Sequence, residues 1–360
     1  MKRKLIAALL LLLLLPCAAV GENEPEDDRN YRIVTREMEL LATYGGVPDV
    51  GDEYVAGDNG HYRVTAVDHT QKTASAEKIG VYEMPDVSWL RENAQPVAAA
   101  KKAVALYCTH SDESYEKADG TSSDEKRGGI YDVAEQFKQA LEKKGITVYY
   151  SDETHYPHDA GAYRRSRATA AGLVEEGVDA VMDIHRDGIP DPGEYEGKAE
   201  GEEITMVRLL VGRSNQNAAA NKAFAAQIKA VADELYPGLI KDIYIGKGTY
   251  NQDLMGQAVL LEFGTYTSDK QDVLSSTGYM ADVMEKALYG GVSGAADGKT
   301  EAASETDRGA FSGIVWVLAA LIVGALIYAF AAAGKGGPAL EKWKRGFQEM
   351  TGGLFRGRKK

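Results

Sequence analysis

The sequence predicts an α/β protein: a mostly parallel sheet with helices on both faces, preceded by a small β-rich unit and followed by a transmembrane helix. Three observations lead there. Between Lys101 and Gly290, short and nearly continuous apolar runs alternate with stretches of helical period, the pattern of strands buried on both faces. From Asn30 to Pro96 the chain instead shows apolar alternation around turn residues. An uncharged apolar stretch from Gly309 to Gly334 is long enough, at about 1.5 Å per residue, to cross a bilayer of about 30 Å.

The chain opens with Lys2, Arg3 and Lys4, an apolar run from Leu5 to Leu15, and small residues ending at Ala19-Val20-Gly21. Residues 1–21 thus have the layout of an export signal, cleaved after Gly21 or kept as an anchor. Pro16 directly before Cys17 fits a lipoprotein signal poorly. Residues 30–96 form the β-rich unit, where "VGDEYVAGDNGHYRVTAV" places two alternating runs around Asp58-Asn59-Gly60, a hairpin signal.

Residues 101–290 form the candidate catalytic domain. "AVALYC" is the first strand, and in "IYDVAEQFKQALEKKGI" residues Ile130, Val133, Phe137, Ala140 and Leu141 recur at helical spacing, with Gly145 as the stop. Then follow strand "ITVYY", a helix from about Ala160 to Glu176, and strands "VDAVMDI" and "ITMVRLLVG". A helix from about Asn215 to Leu235, strand "AVLLEFG" and a helix from about Ser268 to Leu288 complete the pattern. Residues 291–308, rich in Gly, Ala, Ser and acids, read as a flexible linker to the span at 309–334.

The tail, residues 335–360, carries eight basic residues against Glu341 and Glu349, which places it on the cytoplasmic side and the preceding domain outside the membrane. The net charge is −13; without the tail's +6 and the +3 of Lys2, Arg3 and Lys4, the remainder stands at −22. Such a surface repels nucleic acid and argues against a phosphate-backbone partner. With Cys17 in the signal, Cys108 is the lone thiol of the mature chain, so the fold stands on its core rather than on disulfides.

Ligands of open α/β sheets bind beyond the carboxyl ends of the strands. Three strands here end in residues able to hold a metal or move a proton: "AVALYCTH" at His110, "DAVMDIH" at His185 and "AVLLEFG" at Glu262. A catalytic zinc ion commonly takes three nitrogen or oxygen ligands from the protein and keeps one position open for water. His110, Glu113 and His185 supply such a set, with Asp112, Glu116 and Glu125 as other possible oxygen ligands. A single strand-end histidine is more often a hydrogen-bonded loop residue, so the signal lies in the coincidence. Glu262 is the candidate base, since a carboxylate inside "VLLEFG" is costly to bury unless paired, coordinated or protonated. Cys108 shares strand parity with Val104 and Leu106, which favours an inert thiol over a nucleophile. Arg165, in "YPHDAGAYRRSR" beside His155, His158 and Arg164, and Asn251 and Gln252, in "GTYNQDL", are candidate substrate-binding residues. His61 and His69 belong to the β-rich unit and read as structural or solvated.

In order, "THSDES", "GGIYDVAEQFKQALEKKGI", "RRSRATAA", "DIHRDG", "YNQDL" and "LLEFGT" resemble the motifs of the stage II sporulation protein P family over roughly Lys101 to Gly290. The resemblance implies kinship with zinc-dependent N-acetylmuramoyl-L-alanine amidases, which cut the amide joining muramic acid to the peptide stem of peptidoglycan. It implies septal wall thinning and engulfment during sporulation, and an additional action on peptide cross-links. The partners it implies are other sporulation membrane proteins, including a stage II protein D-like glycan-cleaving enzyme. Carried over by residue, it assigns zinc to His110 and His185 with Glu113, and catalysis to Glu262, with Glu125 a rival carboxylate ligand. That family is commonly held by an amino-terminal span, whereas the clearest span here lies near the carboxyl end.

Overall fold

The computed structural model describes residues 30–91, 101–159 and 161–290. Thirteen strands among them are β1 (Tyr31–Val34), β2 (Leu40–Tyr44), β3 (Glu53–Val55), β4 (Gly60–Asp68), β5 (Thr73–Val81), β6 (Ala103–Tyr107), β7 (Thr147–Tyr150), β8 (Ala180–Asp187), β9 (Glu196–Ala199), β10 (Glu202–Thr205), β11 (Val207–Gly212), β12 (Ile240–Gly246) and β13 (Ala258–Thr265). The helices are α1 (Glu116–Asp119), α2 (Ile130–Lys143), α3 (Ala162–Glu175), α4 (Ala218–Leu235) and α5 (Lys270–Tyr289). Eleven strands join one sheet in the order β2-β1-β5-β4-β3-β12-β11-β13-β8-β6-β7, and β9 with β10 makes a separate ribbon.

The run β7-β6-β8-β13 is parallel, as is β11 with β12, while β13 and β11 meet antiparallel. The β-rich stretch at the amino end continues the same sheet, because β3 pairs antiparallel with β12 in the register Tyr54↔Tyr244. With β1–β5 included the sheet is mixed rather than mostly parallel. The expected signal and membrane span, with the linker and tail, lie outside the described residues. Among the described residues no helix is long and apolar enough to cross a membrane.

Strand alternation sends Val104, Leu106, Met182, Ile184, Leu209 and Leu261 to one face, where Ile130, Val133, Phe137 and Leu141 of α2 pack with apolar side chains of α4 and α5. The helical spacing read from the sequence is the buried stripe of α2; burying each such side chain contributes about 1.5–3 kcal/mol. Gly145, at φ +76°, ends the helix. The opposite face is covered by α3, through Ala170, Leu173 and Val174, and farther along by the amino-terminal strands, which bury Ile33, Tyr54 and Val64 with Leu210, Tyr244 and Leu260.

β12 carries no strand signal in the sequence because Lys241 and Asp242 interrupt its apolar run. Asp242 is fully buried and binds Arg208 of β11 through two bonds, Nε to Oδ1 at 2.7 Å and Nη2 to Oδ2 at 2.9 Å. Arg208, also fully buried, gives Nη1 to Asp187 at 2.6 Å and Nη2 to the Thr43 carbonyl at 3.1 Å, tying β8, β12 and β2 together. Burial opposes the Asp242 charge, but the Arg208 guanidinium outweighs it and holds this carboxyl below its ordinary pKa.

Arg208→Ala leaves two buried carboxylates without their cation. Urea unfolding at neutral pH is expected to show a loss of about 3–5 kcal/mol. A folded-state pKa below the unfolded value makes the Asp242 contribution complete above about pH 4 and lost as pH falls through the folded value. The acid-induced fall in stability is therefore expected to be shallower in the variant.

Candidate metal centre

The carboxyl ends of β6, β8 and β13 reach the same edge of the sheet because β8 lies between the other two and runs parallel to both. Beyond β6, Thr109 donates its backbone N–H and its hydroxyl to the two oxygens of Asp183, at 2.8 and 2.6 Å, fastening this turn to β8. The following loop carries His110 and Glu113. Gly128 lies against the Asp112 and Glu113 backbone so closely that a Cβ there would overlap it, and the Ile130 N–H opening α2 donates to the Glu113 carbonyl at 3.0 Å.

The Glu113 side chain is buried and points at both histidines. His110 Nδ1 lies 3.0 Å from Glu113 Oε1 and His185 Nδ1 lies 3.3 Å from the same oxygen. Glu113 Oε2 accepts the Arg186 backbone N–H at 2.9 Å. One ligand atom from each of His110, Glu113 and His185 falls within 4.8 Å of the others, which makes the group able to hold a metal ion. Ligands at about 2.0–2.1 Å from a tetrahedral zinc stand about 3.3 Å apart, a separation that the two Glu113–histidine distances match.

Electrostatics treat the two histidines oppositely, so a metal would bind neutral His110 directly and would have to displace a proton from His185. Burial opposes the Glu113 charge, but His185, with hydrogen bonds from both imidazoles, holds its pKa well below the usual range. Burial, then the neighbouring His158, pushes His110 down to about 3, leaving a neutral imidazole as a metal requires. His185 is held well above its usual value: burial opposes its charge, but the Asp183 and Glu113 carboxylates prevail. Its Nε2 stands 3.0 Å from Asp183 Oδ1, a charge contact that places a carboxylate behind the ring without an aligned hydrogen bond.

Glu262 sits one strand away, in register with His185 on one side and with Arg208 on the other. It is half-buried, and its Oε2 has no hydrogen-bond partner among the described residues. Burial, then the charge of Asp187, pushes its pKa up to about 8.

The other candidates lie apart from this meeting point or are engaged elsewhere. Glu125 is on an exposed loop, where it accepts the Tyr156 hydroxyl at 3.0 Å. Asp112 turns away from Glu113 toward His158 and Ser123, and Glu116 is exposed at the start of α1. Arg165 braces its own loop through the His155 and Pro157 carbonyls and Asp159. Asn251 donates to the Tyr163 carbonyl and Ser166 hydroxyl. Gln252 donates to the Leu210 carbonyl and accepts the Gly212 N–H, so both amides fasten the loop before β13. His61 pairs with Glu53, and His69 meets the Tyr31 hydroxyl.

Two neighbours of the site, Asp183 and Tyr163, are not among the residues the sequence singles out. Asp183 precedes His185 by two residues on the same strand, a parity that was available as a signal. Tyr163, whose ring meets His110 edge-on at 5.5 Å, had no such signal.

Fold and centre together define an α/β domain with two histidines and a carboxylate gathered at strand ends. The chain belongs to the stage II sporulation protein P family, whose model matches residues 50–285. Over 208 residues it is 28% identical to stage II sporulation protein P of Bacillus subtilis (strain 168), a match taking in 52% of each chain, so it spans about half the length of that curated relative. Among solved structures, it is similar to the CwlD amidase from Clostridioides difficile in complex with the GerS lipoprotein, at TM-score 0.37 and 12% identity, over 52% of this chain and 98% of that one. The catalytic domain of CwlV, an N-acetylmuramoyl-L-alanine amidase from Bacillus (Paenibacillus) polymyxa var. colistinus, matches at TM-score 0.34 and 15% identity over the same shares.

Cys108 is fully buried, and burial pushes its thiol pKa well above the ordinary value. Iodoacetamide at pH 8 is expected to leave the native protein unlabelled and to modify Cys108 only after unfolding; rapid labelling of the folded protein would reopen a thiol mechanism.

Proposed function

We propose that this protein is a peptidoglycan hydrolase that cleaves the amide between N-acetylmuramic acid and L-alanine, with zinc held by His110, Glu113 and His185. The observation that carries this reading is the meeting of those three side chains, two from the loop after β6 and one from β8, one strand away from the Glu262 carboxylate. Family membership supports the same chemistry, through the kinship with zinc amidases that the motifs imply.

When bound, zinc supplies Lewis acidity for the scissile carbonyl and acidifies water. The residues of the chain do the rest. Glu113, ionised and fixed by the Arg186 N–H, offers an anionic oxygen, and neutral His110 offers an imidazole nitrogen. Asp183 sets a carboxylate behind the His185 ring. Glu262, in its ionised form, takes a proton from the attacking water as the new C–O bond forms. It then passes that proton to the alanine nitrogen as the C–N bond breaks. The free Oε2 of Glu262 is the atom available for this shuttle.

The cellular setting belongs to the same proposal: septal wall thinning and engulfment in sporulation, together with a glycan-cleaving membrane partner. The apolar stretch at 309–334 and the basic tail support a membrane-anchored protein with its catalytic domain outside.

Glu262→Gln keeps the shape of the side chain and removes the base. With purified cell-wall sacculi, release of peptide stems bearing a new L-alanine amino terminus is expected to fall about 100- to 10,000-fold, with binding to the wall retained. Undiminished release would remove Glu262 from the mechanism, and mass spectra showing a different bond cut would overturn the assignment of the amide. A wild-type protein that binds zinc and the wall but cuts nothing would favour a recognition module of the same fold.

A further inference from the structure

The two histidines of the centre are supported unequally. His185 is backed by the carboxylate of Asp183 at 3.0 Å and is almost wholly buried. His110 stands on a loop with 18% of its side chain exposed, and the one hydrogen bond of its ring among the described residues is that of Nδ1 to Glu113. Among the described residues no carboxylate stands behind its ring as Asp183 does for His185. What it has instead is a neighbouring ring: the His158 imidazole stacks on His110 at 3.7 Å between centroids and 29° between planes.

His158 in turn lies beside a carboxylate. Its Nδ1 lies 3.3 Å from Oδ1 of Asp112, a side chain only 2% exposed, and the other Asp112 oxygen accepts the Ser123 hydroxyl at 2.6 Å. On its other sides His110 meets the edges of Tyr163, at 5.5 Å, and His185, at 4.8 Å. The ring is therefore confined by faces and edges rather than by a hydrogen bond to its second nitrogen.

We propose that His158, placed beside Asp112, is a positioning residue that holds the His110 ring at the angle zinc binding requires, through its stacked face and not as a ligand. This rests on the metal centre proposed above, and it assigns to His158 the place behind His110 that Asp183 takes behind His185. Partners that orient a metal-binding histidine typically account for about 10- to 100-fold in affinity. A flat ring in place of His158 satisfies the stacking requirement without any nitrogen.

The test is zinc affinity, measured on the metal-free full chain by competition with a chromophoric chelator, together with the melting temperature of each metal-free variant. His158→Ala is expected to weaken zinc binding about 10- to 100-fold. His158→Phe, which restores the stacked face alone, is expected to bind within about threefold of wild type, a split that loss of a ligand or a general loss of stability does not produce. If the alanine variant fails to fold, His158→Gln serves as the ringless comparison. Unchanged affinity in the ringless variant overturns the positioning role while leaving the metal centre standing. Equal loss with phenylalanine and alanine overturns the stacking account in favour of a nitrogen of His158. A wild-type chain that binds no zinc overturns the centre itself, and this proposal with it.

Discussion

A single carboxylate oxygen, Glu113 Oε1, receives Nδ1 of both His110 and His185, and the arrangement of the site depends on that convergence. Without compensation, burying an anion there would be costly. Two imidazoles and a backbone N–H make it tolerable, and in doing so they bring three metal-competent atoms together. The fold supplies the convergence by placing β6 beside β8 in parallel, with Asp183 accepting two bonds from Thr109, so the loop that bears Glu113 begins pinned to the strand that bears His185.

The second constraint is the buried ionic cluster around Arg208. Its cation lies across the sheet from Glu262 in register and is bound to Asp187, two residues beyond His185. The same guanidinium reaches the Thr43 carbonyl of β2 and lies 5.9 Å from the ring centres of both Tyr44 and Tyr195. The amino-terminal strands are thus connected to the edge of the site as well as to the sheet. That gives residues 30–91 a physical reason to be there: they cover one face of the sheet and complete the coordination of its central cation.

Much of this could be read from the chain alone, and the failures have identifiable causes. The buried stripe of α2 and the apolar strands at β6, β8 and β13 were legible because their periods match their burial. Glu262 was legible because an acid inside an apolar strand requires an explanation. β12 was hidden because Asp242 breaks its apolar run, and the partner that justifies it, Arg208, lies on another strand. The continuity of the sheet through β3 and β12 could not be inferred from local pattern, since long-range pairing leaves no periodic trace. For Arg165, Asn251 and Gln252, polarity in a loop did not reveal that their groups are occupied by backbone carbonyls and neighbouring side chains. His158 lay in a noted stretch, but nothing local indicated that its ring would rest on His110.

The central claim is that two imidazoles and one carboxylate hold a zinc ion at the strand ends. X-ray absorption at the zinc edge of the purified, zinc-loaded protein measures this directly. The account predicts a first shell of nitrogen and oxygen at about 2.0–2.1 Å that includes two imidazoles, and loss of one imidazole in His185→Ala. A shell containing sulfur at about 2.3 Å, or one unchanged by that substitution, would contradict it.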